Sequence, residues 1–210
     1  HLYWREMILN WKKADIRIYP LKIEGANKFR SLGVAAVSLS SKLNVNLILD
    51  VCRKVSSTHD VVIQVFNPNI IISLRHLLIS VMKALRSFSE GRNICDKIEM
   101  EILLYISGRR QIRDALKIAG LPEYAENFIS ICIGSDDSRI VESLTSLIDY
   151  LNGKVDWNML ELNDEKISFL REVFNISEDE LNTVVRRDLS FKDVMERLII
   201  ERCALLDVIK

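Results

Sequence analysis

Along this chain the spacing of apolar residues changes character once. Up to residue 135, short apolar runs that suit strands alternate with stretches spaced for helices. From Asp136 onward the spacing is helical throughout. Strands mixed with helices first, and helices alone afterwards, is the order of an α+β chain. In such a chain a small sheet is covered by helices, and here the C-terminal part is all helix. The 210 residues fit a single domain over 1–210, and the 49% of hydrophobic residues is ample for a packed core.

The strand candidates are 14–23 (ADIRIYPLKI), 34–39, 61–66 (VVIQVF, closed by Asn67, Pro68 and Asn69), 99–107 (EMEILLYIS) and 127–134. Pro20 has no N–H to donate, so the first belongs at a sheet edge. The run 99–107 is apolar on both faces and reads as a central strand. Helical spacing covers 44–55 and 71–88. In the latter, Leu74, Leu77, Leu78, Val81, Met82, Leu85 and Phe88 share one arc, with Arg75, His76, Lys83 and Arg86 opposite. Ser107 and Gly108 then turn the chain into a helix that opens at Arg109, buries Ile112, Ala115, Leu116 and Ala119, and stops at Gly120. Further helices are expected at 137–151, 164–173, 177–186 and 190–208. Ser177 with Glu180 forms a capping box, and Ser190 caps the last helix in a similar way. The stretch 152–164 reads as a loop.

Cys52, Cys95, Cys132 and Cys203 stand apart, each with apolar residues nearby and none in a CxxC pair. With no signal-peptide order at the first residues, they read as buried thiols in a reducing cytoplasm. No apolar run reaches the roughly 18 residues of a membrane span. The net charge is zero but unevenly spread. Residues 1–117 hold 19 Lys/Arg against 10 Asp/Glu, and residues 118–210 the reverse balance, 10 against 19. Either the basic half faces nucleic acid or the two halves attract one another.

Catalytic signatures are missing: the sequence has no GxGxxG, GxxxxGK[ST], HExxH or GxSxG. Its three histidines, His1, His59 and His76, are scattered. Nothing points to a cofactor, a metal site or enzymatic activity. Paired acids such as Asp136-Asp137 sit at helix starts, where they complement the helix dipole. Two features remain. Arg109 and Arg110, at a helix opening whose free N–H groups attract anions, could join Arg75, Lys83 and Arg86 in a nucleic-acid patch. Spacing alone favours an ordinary solvated face. The last helix carries an inward stripe of Phe191, Val194, Met195, Leu198, Leu205 and Ile209, and a far stripe of Ile200, Ala204 and Val208. A helix apolar on two sides is sandwiched or shared with a partner.

Three blocks occurring in order over 61–210 resemble a known family. They are VVIQVFNPNIIISLRHLLISVMKAL, EMEILLYISGRRQIRDALKIAGL, and a tail of the form FNISEDEL…ERCALLDV. The chain resembles the Cgi family of KEOPS (EKC) accessory subunits, the PRPK-binding protein family, with archaeal members the most similar. The resemblance implies a small, mainly antiparallel sheet wrapped by helices. It also implies a non-catalytic subunit of the complex that makes threonylcarbamoyl-adenosine in tRNA. Such a subunit binds and stimulates the Bud-type kinase/ATPase and helps recruit tRNA by its acceptor end. Carried over, kinase docking falls on Ile200, Ala204, Leu205 and Val208, and tRNA binding on Arg75, Lys83, Arg86, Arg109 and Arg110. The competing reading of the basic half is a free-standing RNA-binding domain.

Overall fold

The computed structural model describes residues 15–25, 28–184 and 189–207, which form five strands and eight α-helices. In chain order these are β1 (Arg17–Pro20), β2 (Ser31–Asn44), α1 (Val45–His59), β3 (Val62–Phe66), α2 (Leu74–Ser89), α3 (Ile98–Ser107), α4 (Ile112–Ala119), β4 (Tyr124–Gly134), α5 (Asp137–Tyr150), β5 (Gly153–Val155), α6 (Asp164–Phe174), α7 (Glu178–Val184) and α8 (Phe191–Ala204). Short 3₁₀ turns lie at Pro68–Ile70, Trp157–Leu160 and Leu205–Asp207. The fold is α+β. The chain groups into two compact units, one from the segments up to Asn67 and Leu121–Met159, the other from Pro68–Gly120 and from Leu160 on.

The sheet unit holds all five strands, paired antiparallel in the order β1-β2-β4-β3. Pro20 sits on the edge strand β1, as its missing N–H requires. β2 pairs along one side with β4. Its other side is shared between β1 at Ser31–Val34 and β5 at Val37–Leu39. Helices α1 and α5 cover one sheet face. Ala35, Val37, Ile63, Val65, Phe128 and Cys132 meet Ile48, Cys52, Val55, Ile140, Leu144 and Leu147 there in one buried cluster. Gly33 lets α5 approach the sheet, since a Cβ at that position would lie 2.3 Å from Ile140 Cγ2. Asn44 caps α1 and Asp136 caps α5, each through its side-chain oxygen.

Two expectations in the element order are corrected. The run 99–107 is the helix α3, not a central strand. Glu101 to Ser107 are all buried, so no polar face marks the helical period, and an all-apolar run looks alike as strand or helix. The helix is secured by Glu99 and Glu101 in its first turn and by Gly108, left-handed at φ 63°, at its end. The stretch 152–164 is not all loop: it contains β5 and a 3₁₀ turn. β5 forms because β2 leaves an edge open beyond β1, which no local signal announces. The helices expected at 137–151, 164–173, 177–186 and 190–208 correspond to α5 to α8, with Val185–Asp188 and Val208–Lys210 outside the described residues. The Ser177–Glu180 box is formed in both directions, as is one between Ser190 and Asp193.

The uneven charge is resolved inside each unit. In the helical unit, residues 68–120 carry 9 Lys/Arg and 5 Asp/Glu, and residues 160–210 carry 8 and 12. In the sheet unit, residues 1–67 carry 10 and 5, and residues 121–159 carry 2 and 7. Each unit therefore sums to zero, by joining a basic segment to an acidic one. All four cysteines are buried free thiols, and burial pushes Cys52, Cys132 and Cys203 up to about 12, leaving them unreactive. Among the described residues no helix is long and apolar enough to cross a membrane.

Candidate functional site

Every described candidate residue falls in the helical unit. Arg75, Lys83 and Arg86 lie on α2, Arg109 and Arg110 between α3 and α4, Ile200 and Ala204 on α8, and Leu205 in the turn after it. Val208 and Ile209 lie outside the described residues. Ser73 caps α2 by accepting from the His76 N–H. Two stripes of α2 are buried: Leu77, Val81 and Leu85, and a narrower one of His76, Ser80, Ala84 and Ser87. The small residues of the second stripe admit α3 closely, so α2 has little free circumference, and its basic arc is correspondingly narrow.

His76 is a correction: it is fully buried, not on the basic arc. Its Nε2 lies 3.5 Å from Cys203 Sγ on α8, and its ring meets Phe174 edge-on. Burial pushes its pKa down to about 4; a hydrogen bond to the Ile106 carbonyl opposes this and nearby Lys166 adds to it. Lys166 on α6 is itself buried, and desolvation lowers it to about 8, with Lys192 contributing. Glu101 is fully buried on α3. It accepts from the backbone N–H groups of Ile94 and Cys95, both at 2.9 Å, and from Ser87 Oγ at 3.2 Å. One carboxylate thus ties the loop before α3 to α2.

α8 is also corrected. Val194, Met195, Leu198, Ile199 and Cys203 form its buried face, whereas Phe191 and Leu205, expected inward, are exposed by 44% and 41%. Ile200 and Ala204 are half-buried. The accessible apolar residues here are thus Ile200 and Ala204 on α8 and Leu205 in the turn after it. α2 is tied to α8 by Arg75 with Glu196 at 3.1 Å, and to the turn after α8 by Lys83 with Asp207 at 2.6 Å. Burial opposes the charge on Asp207, but the bonds from Lys83 and from the Tyr105 hydroxyl outweigh it and hold the carboxyl below its usual range. Asp207 drew no notice in the sequence, because its partners lie 102 and 124 residues away.

The helix opening lies three residues later than expected. α4 begins at Ile112, after Arg109–Gln111, and Gly108 instead caps the end of α3. Ile112 and Leu116, expected inward, are 41% and 47% exposed, and only Ala115 and Ala119 are buried on α4. Arg109 donates to the Val173 carbonyl, and Arg110 is exposed. Both line a recess of about 430 Å³ with Phe174, Arg202, Leu205 and Leu206. The ends of α3, α6 and α8 meet at this recess. Helix C-termini gather partial negative charge, so arginines there balance carbonyl dipoles. The structure thus joins part of the basic set, Arg109 and Arg110, to Leu205 of the apolar set. Arg75 and Lys83 instead serve the α2–α8 seam. Arg86 stands exposed near the end of α2.

A family model described as "Kinase binding protein CGI-121" matches residues 38–207. The chain is 27% identical over 147 residues to "Regulatory protein Cgi121" of Methanocaldococcus jannaschii, covering 70% of this chain and 84% of that protein. It is 31% identical over 129 residues to "KEOPS complex subunit Cgi121" of Pyrococcus abyssi, covering 60% of this chain and 67% of that one.

Proposed function

The chain belongs to the CGI-121 family of kinase binding proteins, the family its sequence blocks resemble, and from that premise we propose that it is a non-catalytic accessory subunit of a KEOPS complex. In this reading it binds and stimulates a Bud-type kinase/ATPase in the cytoplasm. It also helps bring tRNA to threonylcarbamoyl-adenosine modification. The observation that carries the reading is the apolar set at this end of the helical unit: Ile200 and Ala204 half-buried on α8, whose other face is filled, and Leu205 41% exposed in the turn after it. An apolar residue held on a packed helix with its outer side open suits a partner. Val208, of the same set, lies outside the described residues. Recruitment of tRNA falls on Arg86, Arg109 and Arg110; Arg75 and Lys83, of the same basic set, are engaged by Glu196 and Asp207.

The test is titration of the full chain with the Bud-type kinase of the same organism. A 1:1 complex is expected, and Ile200→Glu should weaken it by about 2–4 kcal/mol while leaving the thermal melt intact, because it places an unpaired charge in an apolar contact. Failure of the unmodified proteins to co-elute would sink the reading. The neutral balance of each unit, and the pairing of Arg75 and Lys83 to carboxylates, weigh against a free-standing RNA-binding domain.

A further inference from the structure

Donors from two helices converge on one carboxylate at the end of the helical unit, with an arginine of the intervening loop nearby. Asp207 accepts from Lys83 Nζ of α2 at 2.6 Å and from the Tyr105 hydroxyl of α3 at 2.5 Å, and Arg92 stands at 4.0 Å. Asp207 ends the 3₁₀ turn Leu205–Asp207. A three-residue turn has too few backbone bonds to hold its own direction. Its direction is set instead by Leu206, which is buried, and by the side chain of Asp207. The Lys83 and Asp207 side chains are 25% and 27% exposed, so their pair is partly shielded from water. Leu205, the first residue of the same turn, is 41% exposed and follows the half-buried Ile200 and Ala204 of α8.

We propose that Asp207 is an anchor that orients the apolar edge Ile200–Ala204–Leu205 for kinase docking, and that Lys83 and Tyr105 are positioning residues acting through it. The inference rests on the kinase-docking reading above. It assigns Lys83 to the protein partner and not to tRNA.

The experiment measures the full chain against the Bud-type kinase and, separately, against tRNA. Asp207→Asn and Lys83→Met should each weaken kinase binding about tenfold, as expected if the docking orientation is populated a tenth of the time. Lys83→Arg, and the exchange Lys83→Asp with Asp207→Lys, should recover most of that loss, which a fold defect would not allow. Affinity for tRNA should be unchanged by Asp207→Asn and Lys83→Met. Tyr105→Phe removes one hydroxyl and should weaken kinase binding about threefold; it serves if Asp207→Asn does not fold. If Ile200→Glu abolishes kinase binding while the Asp207, Lys83 and Tyr105 variants bind normally, the anchor is overturned and the docking edge stands. If Ile200→Glu binds normally, the docking edge itself fails. Loss of tRNA affinity in Lys83→Met with kinase binding intact would make Lys83 a nucleic-acid contact and overturn the assignment.

Discussion

The two units bury polar groups in different ways. Among the described residues of the sheet unit, the buried polar ones are Ser31, Gln64, Ser130 and Ser143, none of them charged. In the helical unit they include Glu101, Lys166 and His76. The reason lies in the backbone. An antiparallel ladder pairs its own N–H and C=O groups, so side chains between strands and helices are free to be apolar. The helical unit consists of short helices joined by loops, and loop groups such as the Ile94 and Cys95 N–H need side-chain acceptors. Apolar volume holds the first unit. Directional bonds share that work in the second, and the candidate residues are placed by them.

This contrast can be broken at its strongest point first. Phe128→Ala, in the sheet unit, removes a fully buried ring and should cost about 4 kcal/mol, read as a shift in the urea midpoint. A cost under 1 kcal/mol would mean that packing does not hold that unit.

A somewhat smaller effect is expected from pH on the helical unit. The folded pKa of His76 is about 4, below its ordinary 6.5, so the unfolded chain takes up the proton first. The stability contributed by the neutral ring is fully present above pH 6.5 and is lost as pH falls through 4. The gap corresponds to about 3 kcal/mol. Denaturation at pH 7 and pH 4.5 should show a clearly smaller loss in His76→Phe than in the unsubstituted chain. Equal slopes would remove His76 as the cause.

The smallest comparison is the sharpest. Glu101→Met keeps volume but leaves the N–H groups of Ile94 and of buried Cys95 without their acceptor, at about 2 kcal/mol. Ser130→Ala also deletes a buried polar atom, but Ser130 Oγ has no hydrogen-bond partner in the structure, so the change should be within about 0.5 kcal/mol of neutral. Similar costs at the two positions would erase the distinction between the units.

Much of the fold was legible before the structure was known. The edge position of Pro20, the strands at 61–66 and 127–134, the helices from 137 on and their caps all follow from local spacing and local bonds. What failed has a common cause. α3 carries no periodic signal because the structure buries it on all sides. His76 sits on the inner side of α2 because α3 packs against the small residues Ser80, Ala84 and Ser87 beside it, and the sequence of α2 does not say which of its faces a neighbour will cover. The basic set was found as a list of residues, but their roles were not, because Arg75, Lys83 and Arg109 owe their placement to Glu196, Asp207 and the Val173 carbonyl.

The chain by itself determined the α+β class, the helices from 137 on with their caps and the residue types available at its last helix, because hydrophobic period and capping act over a few residues. Only the tertiary structure decided that 99–107 coils, that each unit is electrically balanced, and that Asp207 gathers Lys83 and Tyr105. Those outcomes depend on residues distant in sequence being brought within a few ångströms, and no local spacing encodes such a distance.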